Sequence, residues 1–171
     1  MQAGVWILNI FAAVWGAVGL AAFGAPIWAW AAPALLSLAV GAYSASLSGR
    51  QPARGPDDGR RIGRLVGIWS SVEGVAILIA VNVVRMAGLT RFTAPVVGVI
   101  VGLHFIPLAR GIPYKAYYFT GAALIAVSLA SVPLPGVYSQ AVTGVGCMLV
   151  LWFSSIVLAH AAGRRSTEAA A

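Results

Sequence analysis

Residues 63–84 read GRLVGIWSSVEGVAILIAVNVV, and beyond Arg64 they carry a single charge, the carboxylate of Glu73. A helix rises ~1.5 Å per residue, so this stretch reaches across the ~30 Å hydrocarbon core of a bilayer. Its apolar residues run on without the strict alternation of a barrel strand, and an open segment in lipid must satisfy its own backbone polar groups. The stretch is therefore expected to be a transmembrane helix with an acid near its middle.

The same test, moved outward in both directions, finds five more apolar segments at 4–24, 26–48, 92–110, 115–133 and 139–161. With 63–84 they make six spans, each close to the ~17–25 residues that a crossing requires. Composition agrees: of 171 residues 60% are hydrophobic and 9% charged, against ~25% charged in a soluble domain. The expected fold is all-α, an integral membrane bundle of six transmembrane helices in three sequential hairpins, one domain over 1–171. Gly24-Ala25-Pro26 makes the first turn tight, and SVPLPGVY (131–138) sets two prolines after span five. The polar run QPARGPDDGRR (51–61) lies in a loop, 49–62, expected to be mobile and without secondary structure. Residues 162–171 are expected to form a polar tail.

The arginines set the direction. Arg50, Arg54, Arg60, Arg61, Arg64, Arg110, Lys115, Arg164 and Arg165 fall on one side of six spans, and only Arg85 and Arg91 on the other. Basic loops stay inside, so both termini are expected in the cytoplasm and the chain in the cytoplasmic (inner) membrane of a bacterium. Trp6, Tyr114, Tyr117 and Tyr118 would anchor the inner interface, and Trp28, Trp30 and Tyr138 the outer one. No cleavable signal peptide is expected, because nothing basic precedes Val5 and the apolar run continues to Phe23. A net charge of +7 would suit nucleic acid, but these charges sit in loops between spans and report topology; no nucleic-acid partner is expected.

Asp57, Asp58 and Glu168 lie outside the spans, which leaves Glu73 as the one acid within them. An acid at that depth costs ~3 kcal/mol on insertion scales, so it should face the bundle interior. It either binds a proton or cation or ties two helices together by hydrogen bonding. His104, in VGLHFIPLAR (101–110), is its natural partner. Helical side chains lean towards their own N-terminus, so Glu73 and His104 on antiparallel neighbours lean towards each other. Pro107 removes one hydrogen bond to the Leu103 carbonyl and is expected to kink span four. Asn9 and Tyr43 come out at similar depth and could edge an inward-facing cavity with His104, and Ser70 is a further polar candidate. Ser70, Ser71, Ser154 and Ser155 are expected to bond back to their own helices rather than act as nucleophiles. Gly63-x-x-x-Gly67 and Gly98-x-x-x-Gly102 read as close-packing faces, and Trp15, Trp69 and Trp152 as core packing.

Several chemistries lack their residues. A retinal Schiff base needs a buried lysine, and the one lysine, Lys115, is interfacial. His104 and His160 lie at unequal depth on different spans, which argues against bis-histidine haem. No Cys/His cluster suits zinc and no Gly-Lys-Ser loop cradles phosphate. No cofactor or metal is therefore expected, and no nucleophile, base and orienting group assemble into a catalytic set.

Two stretches, GIWSSVEGVAILIAVNVV (67–84) and PVVGVIVGLHFIPLARG (95–111) followed by AYYFTGAAL (116–124), resemble a group of small uncharacterised bacterial six-helix membrane proteins. Those proteins share a Glu-Gly before an Ala-Val-Asn, then a Gly-Leu-His-Phe-x-Pro-Leu-Ala block. The resemblance covers the middle third of the chain. It implies six spans and draws attention to Glu73 and His104, but implies no reaction or ligand. The expected function is a small transporter or channel with a proton- or cation-linked Glu/His site. The alternative is a non-catalytic accessory subunit or lipid- or ligand-binding sensor. Expected partners are the bilayer and a small ligand, proton or cation, and a homo-oligomer is compatible with the sequence.

Overall fold

The computed structural model describes residues 2–47, 56–112 and 114–168. Six helices follow in order: α1 (Gln2–Ala22), α2 (Ala31–Leu47), α3 (Pro56–Met86), α4 (Thr93–Gly111), α5 (Ala116–Ser131) and α6 (Val137–Glu168). Short 3₁₀ turns at Ile27–Trp30 and Thr90–Phe92 lead into α2 and α4. The described residues contain no strand. Five of the helical segments are long and apolar enough to cross a membrane, and α5, with 16 residues, is shorter. At ~1.5 Å per residue α5 spans ~24 Å. It stops at Ser131, short of the expected 133, because Pro133 and Pro135 lack the N–H that another turn requires.

Two boundaries correct the sequence reading. The loop expected over 49–62 is helical from Pro56 onward, while 48–55 lie outside the described residues. Proline is pre-organised for a first helical turn, and Asp57 and Asp58 place negative charge at the positive end of the helix dipole. Arg60 and Arg61 approach those acids at 3.8 and 3.9 Å, exposed pairs that add little. The polar tail expected from 162 is helical through Glu168, since no proline after Pro135 interrupts α6. Residues 169–171 lie outside the described residues.

α6 is the central helix. It packs most extensively on α1 and also contacts α5, α2 and α4, whereas α3 packs extensively only on α4. Glycine permits the closest approach: a Cβ added at Gly144 would lie 2.6 Å from the Gly19 Cα and 2.8 Å from the Trp15 carbonyl of α1. Gly98 and Gly102 likewise meet Ser128, Ile125 and the Gly121 carbonyl on α5. Gly63 and Gly67 have nothing within 4 Å, so that pair is not a packing face within the chain.

Buried polar side chains stitch α6 to its neighbours. Asn9 Nδ2 donates to Ser155 Oγ at 2.8 Å, Thr120 to Ser154 at 2.8 Å, and Trp152 Nε1 to Ser37 at 2.9 Å. Ser131 and Thr143 are 2.6 Å apart. Ser154 and Ser155 thus accept bonds from other helices, where self-bonding was expected; Ser71 does bond its own helix, to the Gly67 carbonyl at 2.9 Å. Trp15 is buried, Trp152 half-buried, and Trp69 exposed at the bundle surface.

The turns at one end are built alike. Gly24 and Gly88 both have φ +70°, the left-handed region that glycine alone enters without strain. Each closes a Schellman-type cap, with Ala25 N–H bonded to Leu20 O at 3.0 Å and Leu89 N–H to Val84 O at 2.9 Å. Pro33 and Pro95 then sit in the first turns of α2 and α4, where a missing N–H costs nothing. Within the helices that precede these turns the packing differs: Gly16 of α1 lies against Pro33, while Gly74 of α3 faces open space. Phe23 meets Tyr138, and Gln140 donates to the Thr90 carbonyl, so all three turns gather at this end. Large apolar side chains such as Leu78, Phe119 and Phe153 cover the outside, while serines, threonines and small residues share the inside with a core that includes Leu8, Trp15, Phe105 and Leu124. Exposed apolar surface on this scale suits lipid as the solvent.

Candidate functional site

Two faces of α1 have different tasks. Asn9, with Ala12, Gly16 and Gly19, is buried, and Asn9 bonds Ser155 of α6. Gly4, Ile7, Leu8 and Phe11 instead line a cavity of about 260 Å³. Its opposite wall is α3, through Ile62, Val66, Ser70 and Glu73, and α4 contributes Val101, His104, Phe105 and Leu108. Tyr114, Tyr117, Leu151 and Leu158 are also in its wall. Most of the lining residues lie towards the end where α1 begins and α4 stops, with Glu73, Val101 and Leu151 close to the middle of their helices.

Glu73 and His104 meet in this cavity. His104 Nδ1 is 3.5 Å from Glu73 Oε2, with side chains 9% and 14% exposed respectively. The same nitrogen is 3.2 Å from the backbone carbonyl of Trp69, one turn before Glu73 on α3. A carbonyl only accepts, so in this contact it is the Nδ1–H tautomer that donates to the Trp69 oxygen. His104 is therefore docked by α3 backbone as well as by the carboxylate. Pro107 lies within α4, one turn beyond His104.

Of the residues singled out from sequence, the structure brings Glu73, His104 and Ser70 to one cavity. Asn9 does not join them: its Nδ2 bonds Val5 O at 2.9 Å and Ser155 Oγ at 2.8 Å, between α1 and α6. Tyr43 is 53% exposed on α2, which does not line the cavity. Both were grouped with His104 by depth, which says nothing about direction around the helix axis. Four aromatic side chains of the wall, Phe11, Phe105, Tyr114 and Tyr117, were not anticipated as site residues. Tyr114 and Tyr117 read as interfacial anchors; their place just after the His104 helix, Tyr114 in the turn and Tyr117 at the start of α5, was the available signal. Among the described residues no group of three or more His, Cys, Asp or Glu could hold a metal ion.

The contact predicts coupling. Removing either partner strands the other polar group in a low-dielectric site, at a cost of about 1–3 kcal/mol. Glu73→Gln and His104→Ala should each lower the melting temperature in detergent, and the double variant should lose less than the sum. Strict additivity would mean that the two side chains do not support each other.

Comparison of the chain with known protein families, curated proteins and solved structures gives no match.

Proposed function

We propose that this chain is a small transporter of the bacterial cytoplasmic membrane, in which Glu73 and His104 bind the proton or cation that moves. One observation carries the reading: the single acid within the apolar segments faces a cavity, with a titratable histidine 3.5 Å away. Acids inside a membrane are costly and commonly mark ion or proton pathways. The cavity opens in the half of the bundle that holds most of the basic residues, so it is the inward-facing site when both termini are cytoplasmic. α3, held extensively by α4 alone, is the helix free to move as access alternates.

A second reading has an observation of its own. Beyond Glu73 the bundle is closed by the Gly19–Gly144 contact and the Ser131–Thr143 bond, which suits a binding module or accessory subunit that never opens across the membrane. Reconstitution separates the two. Wild-type protein in proteoliposomes with a pH-sensitive dye or a cation indicator should dissipate an imposed gradient that empty vesicles hold. Equal rates would leave the binding-module reading.

The orientation makes a separate prediction. A cysteine replacing exposed Gly59 should be protected from an impermeant thiol reagent outside intact cells, and one replacing exposed Ala87 should react. The native Cys147 is buried and should stay silent. Labelling at Gly59 from outside would reverse the topology.

A further inference from the structure

Among the residues that line the cavity, His104 is the one side chain that can bring positive charge to Glu73. A carboxylate has two oxygens and about four acceptor positions. Among the described residues Glu73 has one ion-pair neighbour, His104 Nδ1, which also serves the Trp69 carbonyl. The remaining acceptor capacity calls for positive charge from a ligand. A hard inorganic cation takes about six or more oxygen ligands, and the cavity offers too few: Glu73, Ser70 and otherwise mostly hydrocarbon. The other walls suit a different cation. Phe11, Phe105, Tyr114 and Tyr117 place aromatic rings around an aliphatic interior, and such walls accept an apolar body that carries the charge at one end. At about 260 Å³ the space falls just below the ~300 Å³ lower bound of drug-sized sites, which fits a single-ring amine.

The walls also show a route. Ile7 and Phe11 of α1 are each 48% exposed, and Ser70 of α3 is exposed, yet all three line the cavity. The cavity is thus open along the seam between α1 and α3, on the apolar flank of the bundle.

We infer that the cavity binds a small organic cation with an apolar body, its ammonium at Glu73 and its body among the aromatic side chains, admitted from the bilayer between α1 and α3. This names the substrate class of the transport reading and rests on that reading for its movement. One carboxylate holds either a proton or an ammonium ion, so binding the cation releases the proton from Glu73 to water, and protonation expels the cation. The titratable groups sharing the cavity are His104 on α4, Tyr114 in the turn after it and Tyr117 on α5; α1 and α6 line it with none. Acidification also charges His104, which opposes the cation in the same direction.

Benzyltrimethylammonium is the probe, because its fixed charge assigns any pH effect to the protein. Titration calorimetry on purified wild type in detergent should give saturable one-site binding at about pH 8 that weakens progressively as the pH is lowered, by about tenfold or more once the carboxyl is protonated. Glu73→Gln, verified as folded by its thermal transition, should abolish it, and neutral benzyl alcohol should not distinguish the two proteins. Val66→Trp, which fills the cavity away from the carboxylate, should also weaken binding. Absence of saturable binding to wild type, or binding that Glu73→Gln leaves within about twofold, overturns the inference. Proton flux in vesicles without benzyltrimethylammonium binding removes this ligand class and leaves the transport reading standing. Glu73-dependent binding without any flux does the reverse.

Discussion

Vesicles carrying Glu73→Gln protein are expected to pass protons or cations no faster than empty vesicles, where the wild type dissipates the gradient. Glutamine matches glutamate in size and can still hydrogen-bond, but it cannot ionise, so it keeps the cavity's shape and removes its charge. The variant should melt lower, yet the α1–α6 and α4–α5 contacts that hold the bundle do not involve Glu73. His104→Ala should slow flux without abolishing it, because the carboxylate remains while its imidazole neighbour at 3.5 Å is gone. Rates should be normalised to inserted protein. Full flux through Glu73→Gln would remove the residue from the pathway.

The largest stability effect is expected at Gly144. A side chain there meets the Gly19 Cα and the Trp15 carbonyl, which are backbone atoms of α1 and cannot rotate away. Overpacking commonly costs about 1–3 kcal/mol where side chains can adjust. Gly144→Leu must instead part the two most extensively packed helices, so a loss of about 3 kcal/mol or more, or failure to recover folded protein, is expected. Gly63→Leu is the contrast: nothing lies within 4 Å of its added Cβ, and thermal unfolding of the isolated protein should shift by the equivalent of ~0.5 kcal/mol at most. Equal losses at the two sites would contradict the packing described.

These two glycines show where the sequence speaks and where it is silent. Gly63-x-x-x-Gly67 and Gly98-x-x-x-Gly102 have the same spacing, yet one faces open space and the other the backbone of α5. The motif states that a neighbour could come close, and only the bundle's arrangement supplies the neighbour. Apolar length alone located all six helices, because lipid leaves the backbone few options. It failed at Pro56-Asp57-Asp58, whose proline and acids read as loop composition when they are also what a helix start favours. Depth counting brought Glu73 and His104 to neighbouring levels, and the lean of helical side chains did the rest. Depth counting also put Asn9 and Tyr43 with them, and there it lacked the rotation about the axis that turns Asn9 towards α6 and Tyr43 outward. Ser154 and Ser155 were misjudged for a related reason: their partners, Thr120 and Asn9, come from helices distant in sequence.

The account turns on Glu73 being a carboxyl that exchanges its proton through the cavity. Infrared difference spectroscopy of the reconstituted wild type, recorded while the bathing pH is stepped, reads that group directly. The account predicts a reversible carboxylic-acid carbonyl band that gains and loses intensity with pH, shifts in His104→Ala and is missing in Glu73→Gln. A spectrum unchanged by pH, or a titrating band that survives in Glu73→Gln, would contradict it.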